Sequence, residues 1–217
     1  MALSREWDGR LSTAHPLVVP FSTEAAPRTS LEGYHTAAWR MLQYWHELDP
    51  DPWPDEVARD PHVPYWSMCF AGMQLFVNVS NPAHSVRRSR NLGEHMLFIV
   101  NPRERFDLVA GCTPEGRRVR RCIRARIESY DGVGHCLQLG SYAAGEIEWW
   151  QYGIIEENHP RDDRCPFSVL REDGGRLVRL AVLKPPSLSG PDAAALDGIA
   201  DFGGDGRENG YRARDGE

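Results

Sequence analysis

A chain of 217 residues and 24.5 kDa, 41% apolar and 26% charged, is long enough for one domain with its own core and has the composition of a globular protein. Its net charge of −6 excludes a general nucleic-acid binder, because phosphate binding is driven by the number of cations. No apolar run approaches the ~20 residues that span a bilayer, and residues 1–16 lack the apolar stretch of a signal peptide, so the expected setting is cytoplasmic, with no membrane and no nucleic acid among the partners.

Residues 1–28 show little periodicity and read as a poorly ordered lead-in. Thr29 and Glu32 form a capping-box pattern that opens a helix over 30–48, with Leu31, Ala38, Leu42 and Trp45 at helical spacing. His35 and His46 lie eleven residues apart, about three turns, so they share a side. "DPDPWPDE" stops the helix, and a proline-punctuated loop runs to Pro64. "QLFVNVS" (74–80) and "HMLFIVN" (95–101) predict two neighbouring strands joined by an arginine-rich loop. "PRERFDLVAG" predicts a short helix, with Pro102 at its start and Gly111 past its end. Residues 115–130 predict an amphipathic helix with Val119, Cys122, Ile123, Ile127 and Tyr130 on one face. The arginines between 117 and 126 read as its solvated side. A weaker helix is expected over 143–152, a hairpin around Asp-Gly-Gly within 167–183, and a disordered tail over 185–217. The expected fold is α+β: a small, mostly antiparallel sheet flanked by about three helices, in one domain spanning 29–184.

The familiar catalytic signatures are missing: no GxxxxGK[ST], no GxGxxG after a strand, no HExxH and no GxSxG. Five cysteines without a CxxC suit neither a disulfide framework nor a zinc knuckle. One segment concentrates chemistry. "NVSNPAHSVRRSRNLG" (78–93) sets Arg87, Arg88 and Arg90 beside His84 in an acidic chain. A phosphate, a carboxylated cofactor or plain solvent could explain such a cluster, and a carboxylate clamp is favoured because nothing else in the chain is basic enough for nucleic acid. His46 and His35 read most simply as half-buried helix histidines, His135 as part of a glycine-rich turn, and Cys165 as a buried structural thiol.

Several segments together resemble the YqcI/YcgG family from about Trp39 to Phe167: "MLQYWHELDPDPWP", "WSMCFAGMQLFVNVSNPAHSVRRSRN", "FIVNPRERFD", "VRRCIRARIESYD", "LGSY" followed by "EWWQY", and "CPF". The resemblance implies a heme-dependent monooxygenase that hydroxylates a nitrogen of an arginine-like guanidino amino acid or a related small amine, as in members of the cycloserine and guanitoxin pathways. The guanitoxin branch ends its first strand in His-Pro, whereas here Asn81 precedes Pro82 and the histidine follows at 84. On this reading heme b is the cofactor and His84 the iron ligand, with His46 as the alternative. Arg87, Arg88 and Arg90 would clamp the propionates, and Cys165 could instead offer a thiolate. Glu146 and Glu148, with Asp131 as a further candidate, would receive the guanidinium of the small-molecule substrate. Dioxygen or peroxide and an electron donor complete the set. The other reading is a non-catalytic protein that binds heme or a small ligand on the same scaffold.

Overall fold

Alternation along two central strands builds the sheet. Val77 and Val79 are buried and lie opposite Val100 and Phe98, so four apolar side chains meet on one face. The computed structural model describes residues 8–10, 15–26, 30–173 and 176–179. Its main sheet holds β1 (Leu17–Phe21), β2 (Met68–Phe70), β3 (Met73–Ser80) and β4 (Met96–Pro102), in the order β1-β4-β3-β2 with every pairing antiparallel. The lead-in thus supplies an edge strand, the position in a sheet where a proline such as Pro20 is tolerated. β2 and β3 are joined by Ala71 and Gly72, both left-handed at φ 51° and 69°, as a two-residue hairpin demands. The strained Ala71 is held by its N–H donating to Asp49 Oδ1 at 2.8 Å.

Helix α1 (Leu31–Glu47) covers the apolar face with Ala37, Ala38 and Leu42. Its cap is Ser30, whose Oγ accepts from Gly33 N at 3.1 Å, one residue later than the capping box predicted. Trp45 meets Phe98 edge-on at 5.4 Å, and Trp39 packs on both Trp149 and Tyr152 at 6.0 Å. On the other side lie α2 (Arg103–Ala110) and α3 (Pro114–Asp131). Thr113 caps α3 by accepting from Gly116 N at 3.0 Å, and a left-handed Gly132 ends it.

Two elements differ from the sequence expectation. The helix expected over 143–152 is two 3-10 turns, Tyr142–Ala144 and Trp149–Gln151, separated by a left-handed Gly145 at φ 74°. The solvated side of α3 holds for Arg117, Arg118, Arg121 and Arg126, which are exposed, but Arg120 and Arg124 turn to loop carbonyls at Ala110 and Leu139, while Cys122, Ile123 and Tyr130 of the expected apolar face are exposed. Unpaired carbonyls where α2 ends and in the 139–141 loop need donors, and guanidinium groups supply them. Only Gly116 and Asp131 of α3 are buried.

β5 (Leu170–Asp173) and β6 (Arg176–Arg179) form the expected hairpin. The predicted tail over 185–217 lies outside the described residues. Among those described, no helix is long and apolar enough to cross a membrane.

Candidate functional site

β3 ends where Asn81 and Pro82 turn the chain out of the sheet, and the loop that follows closes on itself. Asn81 N donates to Arg90 O at 3.0 Å, Ser80 Oγ donates to the same oxygen at 2.8 Å, and Asn91 Nδ2 donates to His84 O at 3.0 Å. This closure drives the His84 side chain inward, leaving the residue 1% exposed. Its Nδ1 lies 2.5 Å from Glu156 Oε1, and Glu156 Oε2 accepts from Val86 N at 2.6 Å and Arg87 N at 3.2 Å. Two backbone bonds therefore fix the carboxylate, and the carboxylate fixes the ring.

Burial pushes the His84 pKa down, and it outweighs the upward pull of Glu156. The ring is neutral near pH 7, with its proton on Nδ1 facing the carboxylate. That leaves the Nε2 lone pair, which is buried and without a hydrogen-bond partner among the described residues.

His35 comes to the same place from α1. One turn before Trp39, its ring centroid lies 6.2 Å from that of His84, and its Nε2 is also buried and unpartnered among the described residues. The ring rests on the backbone of Gly153, where a Cβ would sit 3.0 Å from Cδ2 and 3.1 Å from Nε2. Burial, helped by the nearby charge of Arg161, pushes the His35 pKa down to about 3. Two neutral imidazoles thus stand side by side.

The three arginines divide. Arg87, 1% exposed, donates Nε to Ile155 O at 2.9 Å, Nη1 to Gly134 O at 3.0 Å and Nη2 to Asn158 Oδ1 at 2.6 Å, so it ties the loop to two distant segments. Arg88 is exposed, donates to Tyr130 O, and lies 5.2 Å from the centre of the Tyr130 ring. Arg90 is buried with Nη1 unpartnered among the described residues, and burial pushes its pKa down to about 10. It stays a cation with a free donor.

The other candidates lie apart. His46 Nε2 accepts from Leu170 N at 2.9 Å, so its lone pair is in use, and its ring packs edge-on to Trp53. Asp131 accepts from Ser89 N at 2.7 Å and Ser89 Oγ at 2.9 Å. Glu146, exposed, accepts from Ser141 N at 2.6 Å. Glu148 does receive a guanidinium, that of Arg103 at 3.1 Å, together with Ser67 Oγ at 2.7 Å and Tyr152 OH at 2.9 Å. Burial pushes the Glu148 pKa up to about 7 against the pull of Arg103. His135 pairs with Glu128 on the surface, and burial pushes the Cys165 thiol far above its usual range. The sequence reading missed Glu156 and Gly153. A carboxylate directly after the apolar run "YGII" was the available signal for the first.

Fold and site together define an antiparallel α+β domain that buries a neutral, carboxylate-backed histidine with one open nitrogen. The chain belongs to the YqcI/YcgG family, whose family model matches residues 3–168, so the match takes in β1 as well. It is 58% identical over 166 residues to a Streptomyces lavendulae protein named "Putative N(omega)-hydroxy-L-arginine synthase DcsA", covering 76% of this chain and 63% of that one. It is 34% identical over 157 residues to the uncharacterized protein YcgG of Bacillus subtilis (71% and 62% covered) and 34% over 142 residues to YqcI of the same organism (65% and 55%). The chain therefore spans less than two thirds of the length of these relatives. No solved structure matches it.

Proposed function

We propose that this chain hydroxylates a guanidino nitrogen of arginine or a close analogue, using heme b held through His84. The observation that carries the reading is His84 itself: Nδ1 on a carboxylate at 2.5 Å, Nε2 buried and unpartnered among the described residues. A histidine that ligates a metal characteristically gives its other nitrogen to a carboxylate, which fixes the ring and raises its basicity. Among the described residues no three His, Cys, Asp or Glu side chains converge on a metal-sized space. A porphyrin asks the protein for one such donor, which the open Nε2 of His84 would supply. The name carried by the Streptomyces relative supports the substrate class.

Bound heme supplies the activation of dioxygen or peroxide, the chemistry that side chains lack. The chain's own groups do the rest. Glu156 holds the His84 proton at Nδ1. Arg90, a buried cation with a free donor, pairs with a carboxylate, either a propionate or that of the amino acid. His35, neutral and close by, accepts a hydrogen bond from the guanidino N–H at its open Nε2. With dioxygen, one oxygen atom enters the product and the other leaves as water, which consumes two electrons and two protons from a donor; peroxide needs no donor.

The test is the spectrum of protein expressed with a heme precursor. A Soret band that shifts with reductant and carbon monoxide is expected, together with arginine consumed to a product one oxygen heavier. His84→Ala should lose most of the heme or yield a changed spectrum that added imidazole restores. A folded, colourless protein would sink the reading and leave a small-ligand binder on the same scaffold.

A further inference from the structure

Along α3 runs a groove of about 390 Å³ lined by Glu115, Arg118, Val119, Cys122, Ile123 and Arg126. The six recur at spacings of three and four, so they form one stripe over three turns. Cys122 is exposed and Ile123 is 45% accessible, an apolar strip facing water between the exposed Arg118 and Arg126, while Arg120 and Arg124 turn to the domain. Exposed strips of this kind mark interaction surfaces. Charge tells which partner fits. Glu115 stands at the N-terminal end of the stripe and Arg126 at its C-terminal end. Each suits its own end of the helix dipole, and together they make the stripe complementary to a reversed copy of itself.

We propose that α3 docks antiparallel against α3 of a second copy of this chain, about a two-fold axis at the level of Arg120 and Arg121. Arg120 points away from the stripe, to the carbonyls of Ala110 and Gly111. In this register Glu115 meets Arg126 of the second copy, and symmetry makes the pair twice. Val119 meets Cys122, and the aliphatic stem of Arg118 covers Ile123 while its guanidinium reaches water. Parallel docking would set Glu115 against Glu115 and Arg126 against Arg126. The antiparallel arrangement is isologous and closed, so it stops at a dimer.

The experiment is sedimentation equilibrium of the full chain over a range of concentrations, with circular dichroism to show that each variant folds. A monomer–dimer equilibrium that weakens with salt is expected. Glu115→Arg and Arg126→Glu should each weaken association by roughly tenfold, and the double variant should return to within about threefold of the parent. Val119→Cys should form an intermolecular disulfide with Cys122 under mild oxidation, and the same variant carrying Cys122→Ser should not. A monomer at every concentration overturns the proposal, as does a double variant no better than its singles or a crosslink that survives Cys122→Ser.

Discussion

At the scale of single residues, three histidines are held neutral by burial, and this sets how stability follows pH. The His35 pKa lies at about 3 in the folded chain, while those of His46 and His84 are lowered without so large a shift. Unfolded, each has a pKa of about 6.5. Below that value the unfolded chain binds protons that the folded chain refuses, so stability falls as pH drops. For His35 the loss starts near pH 6.5 and continues toward pH 3, about 1.4 kcal/mol per unit. Glu148 works the other way: raised to about 7, it holds a proton that the unfolded carboxyl releases, so its contribution is present at low pH and lost as pH rises toward 7. The net slope is a difference, and a variant separates it. His35→Asn should flatten the fall in urea midpoint between pH 7 and pH 5 by the equivalent of about 2 kcal/mol. An unchanged slope would mean that His35 is not buried as described.

The next scale is that of elements, where Gly153 decides how closely α1 approaches the 149–156 segment. Gly153→Ala would bring a Cβ to 3.0 Å from the His35 ring, tight enough that the ring must shift by a few tenths of an ångström. We expect a cost of about 1–3 kcal/mol from overpacking. Combined with His35→Ala, which empties the contested space, the same change should cost markedly less. Chemical denaturation of the four proteins in that cycle measures the coupling, and additive effects would show that the contact is not made.

This scale also separates what the sequence disclosed from what it hid. α1, β3, β4 and α3 carry their periodicity within a few turns or pleats, so their existence was legible, and so was the terminal hairpin. The orientation of α3 was not. Its inward arginines answer to carbonyls of other segments, and a carbonyl has no letter in a sequence. The 3-10 turns at 142–144 and 149–151 were hidden too, because an apolar run resembles a helix until Gly145 takes a left-handed conformation. His84 could be singled out because a strand end, a proline and three arginines surround it locally. Glu156 could not, since it stands 72 residues away.

For the whole molecule, the tie between layers is Glu148. It joins Ser67, just before β2, to Arg103 at the start of α2 and to Tyr152 beneath α1. Tyr152 OH also accepts from Met68 N at 3.1 Å and lies 2.7 Å from Leu75 O. Arg103 is 4% exposed, and its guanidinium stacks 3.5 Å from the centre of the Tyr142 ring. Glu148→Ala would leave that cation with Asp107, a more exposed carboxylate, as its partner, at a cost of about 1–3 kcal/mol. Glu148→Gln keeps bonding capacity toward Ser67 and Tyr152, so it should cost less. Thermal melts of both variants check the order, and equal losses would place the stabilisation in the charge that both variants lack instead of in the packing and bonds that glutamine keeps.

The separation of His84 from Glu156 by 72 residues also has a consequence in time. Ribosomes add about 5–20 residues per second, so the imidazole is made roughly 4–14 seconds before the carboxylate that orients it. The loop bonds that close residues 81–91 on themselves are all encoded earlier and can form during that wait. The loop can therefore close around the histidine before the carboxylate that orients it exists. Glu156 can orient the imidazole only after translation has passed residue 156, so the length of the polypeptide itself sets the earliest moment at which the pair forms.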